Sequence, residues 1–478
     1  MPSLTKSDFI QFLNCQKSLW LKKRKPDVYP EGEFTAFQQK LVRDGYAVEA
    51  EVRRLLDGRP NAQRYVSQRT FETADGLFAR ADFVRENSDG SIDIFEVKSS
   101  TSVKGGAPDY QLKDATFQTI AAERCGALVR RVYLVHLNGA YVRAGAIESE
   151  KLLTFVDVTD DVRSLIHQTT IEIAEALDLL GQEEIDKSAC SCLGLGRSRH
   201  CDSFDYFNPD IPDPSIYDLP RISQSKHFDR FVAEGRFSLD LIDPSDLSTR
   251  QSLVVEAHRN GAPIIDHAAI GEYLGGLTYP LYFLDYEAFA SAVPMIDGAW
   301  PHGQIPFQFS LHVLSEEGAL SHHEYLAETA EMPGALLAAL SRLVGPEGSV
   351  ISWHKSYENT RNKEMAARFT DCANFLNDLT ARTVDLEDVF KTSYVDIAFR
   401  GSTSIKKVLP VLVPDLTYEG LAIAGGTEAM EGWLEMVAMP PGEARETRRR
   451  DLLRYCEQDT LAMVRIYEVL CNLCGLGQ

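Results

Sequence analysis

Apolar residues at Phe9, Ile10, Leu13, Leu19 and Leu21 recur at near-helical spacing, and Ser7-Asp8 ahead of them can cap a first turn. The same spacing predicts a second helix over 37–56. From about residue 64 the period shortens to that of strands. Segments 76–84 and 92–98 flank Asn87-Ser-Asp-Gly90, a strong hairpin-turn signal. A helix over 111–122 and a buried strand over 131–137 complete a helix–hairpin–helix–strand outline, which predicts a compact α/β domain. Pro209, Pro212, Pro214 and Pro220 mark 202–222 as an extended linker, and 223–275 reads as a small helical segment. Strands are expected again at 282–287 and 308–314, then helices ending in one over 448–473. There is no internal repeat or low-complexity run. The expected parts are therefore 1–208, a linker and helical segment over 209–277, and 278–478.

Composition narrows the class. The chain has 478 residues, 44% of them hydrophobic and 25% charged, enough for about two to four packed domains and too apolar for wholesale disorder. No apolar run reaches the ~18–20 residues of a bilayer span, and the first residues lack a signal-peptide apolar core, so no membrane association and a cytoplasmic location are expected. With 49 Lys plus Arg against 70 Asp plus Glu the net charge is −21, which argues against a binder held to nucleic acid by electrostatics alone. A nuclease stays open, because metal-binding carboxylates place negative charge where cations will sit. Basic residues are local: Lys22-Lys-Arg-Lys25 follows the first helix, and Arg448-Arg-Arg450 opens the last. Trp20, Tyr29, Phe34 and Trp353 could stack on bases at ~1–3 kcal/mol each, although single aromatics are more often core.

Glu96-Val97-Lys98 lies on a strand of period two, so Glu96 and Lys98 face one side. Asp82 lies on the preceding hairpin strand. Two carboxylates on adjacent strands can share a hard divalent cation, and a nearby lysine can orient water and offset phosphate charge, as metal-assisted phosphodiester cleavage requires. The pattern alone also fits an exposed hairpin with a cross-strand salt bridge. Glu49 on an upstream helix and Gln118 on a downstream one extend the set. Together, Glu49, Asp82, Glu96, Lys98 and Gln118 resemble the PD-(D/E)XK motif of RecB-type nucleases, although Ala81 stands where that family has Pro. The resemblance implies Glu49, Asp82 and Glu96 as metal ligands, with Asp82, Glu96, Lys98 and Gln118 catalytic.

Nine cysteines without a secretion signal favour metal over a disulfide framework. Cys15 opens the first domain, and Cys190, Cys192 and Cys201 close it. This bracketing resembles the iron–sulfur RecB-type nucleases, including the AddB nuclease domain and CRISPR-associated RecB-type exonucleases, and implies a four-iron (4Fe-4S) cluster on these thiolates. The tight Cys190-x-Cys192 spacing departs from the pattern, so His200 as a ligand, or zinc in place of iron, stays open.

In the second half, Asp285 and Glu287 lie two apart at the end of an apolar strand, and Tyr455 and Asp459 lie four apart on one helical face. Glu358 follows a strand-like segment between them. These motifs resemble the DEDD exonucleases of RNase H-like fold, with Glu358 where that family usually has Asp. The resemblance implies Asp285, Glu287, Glu358 and Asp459 as ligands of two divalent ions, with Tyr455 orienting water. Segments at 279–287, 305–312, 401–410 and 416–420 resemble an uncharacterised bacterial domain family found fused behind RecB-type nucleases. There Lys406 or Lys407 could approach a phosphate backbone. Other candidates weigh less: Cys471-Asn-Leu-Cys474 reads as packing, Gly425-Gly426 as a turn, and His322-His323, which could bind metal, as a surface pair alone in a strand-like stretch.

The expectation is an α/β chain with a restriction-endonuclease-like PD-(D/E)XK core, an iron–sulfur staple, and a C-terminal RNase H-like domain. It would be a Mg²⁺- or Mn²⁺-dependent nuclease, favouring DNA over RNA at single-stranded or frayed ends, in repair, recombination or mobile-element defence. No Walker A motif is present, so unwinding would need a helicase or recombination partner. The alternatives are a nucleic-acid-binding or assembly module with degenerate sites, and an RNA-processing exonuclease.

Overall fold

Thr5, ahead of the expected Ser7-Asp8 cap, closes the first helix: its hydroxyl accepts from Asp8 N at 3.1 Å while the Asp8 carboxylate accepts from Thr5 N at 3.0 Å. Asp8 is thus the third helical residue of a capping box and not the cap itself. The computed structural model describes residues 3–30, 32, 34–58 and 64–476. Two compact units emerge, Met1–Asp210 with Ser291–Pro294 and Trp300–His302, and Ile211–Ala290 with Met295–Ala299 and Gly303–Gln478. Both are α/β.

The first unit contains β1 (Leu4–Thr5), α1 (Lys6–Asn14), α2 (Gln16–Arg24), α3 (Ala36–Asp57), β2 (Arg64–Glu72), β3 (Leu77–Glu86), β4 (Ile92–Val97), α4 (Gln111–Arg124), β5 (Val129–Leu137), α5 (Ser149–Leu152), β6 (Leu153–Asp157), α6 (Thr159–Gly181) and α7 (Phe204–Phe207). β3 is the hub of a mixed sheet. One edge pairs antiparallel with β2; the other pairs parallel with β1 and antiparallel with β4. β4 and β5 run parallel, and β6 returns antiparallel to β5. At the β3–β4 turn Gly90 N donates to Asn87 O at 3.0 Å, and Gly90 takes a φ of 82°, which costs glycine no steric strain. β4 is covered on both faces: Ile92 and Ile94 join a core with Phe9, Phe117 and Ile173, whereas Phe95 joins Val48, Val52 and Val135. Glu96 follows Ile92 and Ile94 in period two, toward α4.

The second unit contains α8 (Phe228–Ala233), α9 (Thr249–Asn260), β7 (Ile264–Ile265), α10 (His267–Gly275), β8 (Leu281–Phe289), β9 (Ile305–Leu314), β10 (Leu320–Leu326), α11 (Gly334–Leu343), β11 (Ser349–Ser352), α12 (Ser356–Arg368), α13 (Ala373–Arg382), β12 (Thr383–Asp385), α14 (Val389–Thr392), β13 (Tyr394–Val395), α15 (Ile405–Leu412), α16 (Gly426–Ala438) and α17 (Glu443–Leu473). Its sheet has the order β10-β9-β8-β11-β12, an antiparallel meander continued by parallel strands. Tyr282, Leu284 and Tyr286 pack with residues of α11, α12 and α13. The alternate positions Leu281, Phe283 and Phe289 pack with α16 and α17. Asp285 and Glu287 continue that second series.

The proline-marked stretch is not a solvated linker beyond residue 210. Residues 211–277 fold within the second unit. Ile216, Tyr217, Leu219 and Ile222 are buried, and the Tyr217 ring packs against Phe228 and Phe237. Apolar residues interleaved with the prolines let these rigid turns pack. Among the described residues no helix is long and apolar enough to cross a membrane.

Candidate functional site

Glu96, 1% exposed, is the centre of a charged cluster on the first sheet. Its Oε1 accepts from Lys98 Nζ at 2.8 Å and from Lys6 Nζ at 2.7 Å, and its Oε2 from Gln118 Nε2 at 2.7 Å. Lys98 also donates to Asp114, whose other oxygen accepts from Gln118 Nε2 at 3.0 Å. Asp82 Oδ2 accepts from Val97 N at 2.8 Å, so the first carboxylate is fixed by the backbone of the strand that carries the second. Burial and the neighbouring Glu96 push Asp82 up to about 8. Burial would raise Glu96 too, but Lys6 and Lys98 hold it below the usual carboxylate range. Lys98 is held above its ordinary value, against its own burial, by Asp114 and Glu96.

Glu49 stands apart. Its carboxylate accepts from Gln68 on β2, and among the described residues it does not join Asp82 and Glu96 in one group of mutually close ligand atoms. Lys6 and Asp114 were not foreseen. Asp114 lies four residues before Gln118 on one helical face, a spacing that could have named it. Lys6 is 90 residues from Glu96 in sequence and has no local signature.

Cys15 lies between α1 and α2, in extended backbone (φ −159°) that ends one helix and starts the next. Its sulfur and those of Cys190, Cys192 and Cys201 all lie within 4.8 Å of one another. Cys190 and Cys201 are 4.0 Å apart, and Asn208 Nδ2 lies 3.5 Å from Cys190 Sγ. Hydrogen bonds from Cys15, Cys192 and Cys201 hold the Cys190 thiol below its ordinary range. His200 is not part of the group. Its ring stacks on Phe204 at 3.5 Å, and its Nε2 lies 3.1 Å from Leu195 O.

In the second unit Asp285, Glu287 and Asp459 bring their carboxylates within 4.8 Å of one another. The strand supplies two on one face and α17 the third. Tyr418 O–H donates to Asp459 Oδ1 at 2.5 Å, and Cys456 Sγ lies 3.6 Å from Asp285 Oδ2. Lys406 Nζ is 3.5 Å from Tyr455 OH and lies over the rings of Tyr418 and Tyr455. Glu358 in the first turn of α12 stays outside the close group; it is 3% exposed, and its Oε2 has no hydrogen-bond partner. Burial, Asp459, Glu287 and Glu358 hold Asp285 well above the carboxylate range. Burial with Asp459 pushes Glu287 up to about 8, and burial pushes Glu358 to about 8 and Asp459 to about 6. Three carboxylates brought together, each holding its proton more tightly than an isolated carboxyl, form a hard-oxygen set whose mutual repulsion on ionisation a divalent cation would offset. Tyr418, 41 residues from Asp459 in sequence, gave no local sign of its role.

His322 is not an isolated surface residue. Its ring lies 4.5 Å from that of His312, a β9 residue that is 4% exposed. Burial, with His322 and His323 nearby, holds His312 down to about 4, so it is neutral at physiological pH.

Residues 282–404 match a domain of unknown function, DUF2779. That stretch contains Asp285, Glu287 and Glu358 but not Asp459. Over 206 residues the chain is 28% identical to the "Uncharacterized protein MG366 homolog" of Mycoplasma pneumoniae, a match covering 38% of this chain and 31% of that protein. The chain thus spans about a third of the length of that relative.

Proposed function

We propose that the chain is a metal-dependent phosphodiester hydrolase with an RNase H-like DEDD-type exonuclease centre in its second unit and a PD-(D/E)XK nuclease core in its first, acting on DNA ends. The observation that carries this reading is the Asp285, Glu287 and Asp459 group: three carboxylates from a strand and a distant helix whose oxygens lie within 4.8 Å of one another. Held by these carboxylates, Mg²⁺ or Mn²⁺ would supply Lewis acidity and an activated water. The residues around them divide the remaining work. Tyr418 fixes one oxygen of Asp459. Tyr455, on the same helical face, presents a phenol that can orient the attacking water. Lys406 offers positive charge to a scissile phosphate. Glu358 supplies a buried acceptor without a partner, suited to a second ion.

In the first unit Asp82 and Glu96 would hold the metal, and Lys98, kept cationic by its acidic neighbours, would offset charge on the phosphate. A second reading, in which this unit binds nucleic acid without cutting it, is favoured by Lys6: it occupies Glu96 where a metal would sit, while Glu49 is engaged by Gln68. The four thiols suit zinc or iron–sulfur ligation. We assign them an iron–sulfur cluster by resemblance. The 4.0 Å sulfur separation is instead close to the ~3.8 Å edge of a tetrahedron around one zinc ion, so a four-iron cube would require the sulfurs to spread. Metal analysis of anaerobically purified protein separates the two.

The test is cleavage of end-labelled single- and double-stranded DNA and RNA with Mg²⁺ or Mn²⁺. Asp285→Ala and Lys98→Ala should each abolish a separable part of the activity. An unchanged rate in Asp285→Ala would remove the main proposal; an unchanged rate in Lys98→Ala alone would leave the first unit as a binding module.

A further inference from the structure

We infer that His312, His322 and Glu457 form a separate site for a zinc-class divalent ion, distinct from both the carboxylate group and the thiols. Each offers one ligand atom, and these atoms lie within 4.8 Å of one another. The three come from β9, β10 and α17. Strand pairing sets His312 directly opposite His322, and α17 lays Glu457 beside them.

Hydroxyl groups already hold one nitrogen of each ring. His312 Nδ1 lies 2.8 Å from Thr460 Oγ1, and His322 Nε2 lies 3.0 Å from Ser310 Oγ. The two hydroxyls bond each other at 2.7 Å, and Thr460 Oγ1 also donates to Glu457 O at 3.1 Å. With the Thr460 proton directed to Glu457 O, the His312 N–H donates to Thr460 and leaves the lone pair on Nε2. The Ser310 proton then goes to Thr460, so His322 donates from Nε2 and leaves its lone pair on Nδ1. Metal-ligating imidazoles are oriented in the same way, by a partner on the nitrogen away from the ion.

The lone pair on His322 Nδ1 faces Glu457 Oε1 across 3.7 Å. That distance exceeds an N–H···O hydrogen bond, and a lone pair against a carboxylate is repulsive. A cation between them resolves both problems. Bonds of ~2.0–2.2 Å to nitrogen and oxygen put neighbouring ligand atoms about 3.4 Å apart around a tetrahedral ion, close to the 3.7 Å between His322 Nδ1 and Glu457 Oε1. Two imidazoles and one carboxylate form the borderline donor set that zinc, cobalt and nickel accept, and three protein ligands leave a coordination position open. The Glu457 side chain is 45% exposed, so ions can enter from solvent.

The test strips the full chain with chelator and titrates it with Co²⁺ in excess Mg²⁺, which competes at the all-oxygen site. Cobalt on the thiols is recognised by its intense thiolate charge-transfer band. The expected result is one further Co²⁺ per chain with weak visible bands and no thiolate contribution. Glu457→Gln on the helix surface should weaken that ion about 100-fold, and Thr460→Val should weaken it ~10–100-fold through loss of the imidazole anchor. His312→Ala should remove it, with the thiolate band unchanged in all variants. If Glu457→Gln, shown folded by circular dichroism, binds as many ions with the same spectrum and affinity as the parent, the site does not exist. Should His312→Ala fail to fold, the Glu457 and Thr460 variants decide alone.

Discussion

Replacing Glu287 by glutamine should stabilise the metal-free protein in alkaline solution and weaken the stabilisation that metal gives through the Asp285, Glu287 and Asp459 group. Glu287 is 8% exposed, and burial with the neighbouring Asp459 pushes its carboxyl from 4.5 up to about 8. A group raised in this way contributes stability that is fully present below 4.5 and lost as pH rises through about 8. At ~1.4 kcal/mol per tenfold difference in proton affinity, the full effect is ~5 kcal/mol. The repulsion is shared with Asp285 and Asp459, which relax once one charge is gone, so about half of it, ~2–3 kcal/mol, should appear in the variant. For a unit of this size that corresponds to a melting shift of ~5–10 °C. Thermal unfolding in chelator, followed by circular dichroism at about pH 5 and about pH 8.5, makes the comparison. The variant should match the parent at the lower pH and exceed it at the higher. Adding Mn²⁺ should raise the unfolding transition of the second unit less in the variant than in the parent. A variant no more stable than the parent at about pH 8.5 in chelator would refute the claim that these carboxylates repel one another in a buried pocket.

Three further outcomes follow from the same geometry. If the four thiols hold a metal, Cys15→Ser should reduce the metal content and lower the stability of the first unit by several kcal/mol (structural zinc contributes ~10–16 kcal/mol), checked by metal analysis and denaturant unfolding. Tyr418→Phe removes a hydrogen bond that lowers the Asp459 carboxyl, so the acid limb of the Mn²⁺-dependent pH–rate profile should move to higher pH; a limb that stays in place means the bond does not tune the site. Lys6→Met should leave Glu96 with one cationic partner and cost ~1–3 kcal/mol in urea unfolding at neutral pH, the loss shrinking as acid protonates Glu96.

The parts legible in the sequence are those set by short-range geometry. Period two put Glu96 and Lys98 on one side of β4 and Asp285 and Glu287 on one side of β8. Helical spacing put Tyr455 beside Asp459, and the turn at Asn87–Gly90 follows from the one residue that takes a positive φ without strain. What stayed hidden comes from chain pairing across long separations. Lys6 reaches Glu96, Tyr418 reaches Asp459 and His312 meets His322 only once sheets and helices have assembled, and no spacing announces any of them. The proline-marked stretch misled for a different reason: prolines punctuate a chain whether its turns are solvated or packed, and the burial of Ile216, Tyr217 and Leu219 decides between the two. Glu49 shows the converse. Its place in a motif order named it, but Gln68 engages its carboxylate, which among the described residues does not form one close ligand group with Asp82 and Glu96.

The proposal of two hydrolytic centres is tested most directly by the double variant Asp285→Ala/Lys98→Ala. With Mn²⁺ and end-labelled single-stranded DNA, the parent should shorten the substrate while the folded double variant leaves it intact over the same time course, at a rate at least about 100-fold lower. Digestion by the double variant at the parental rate would contradict the account.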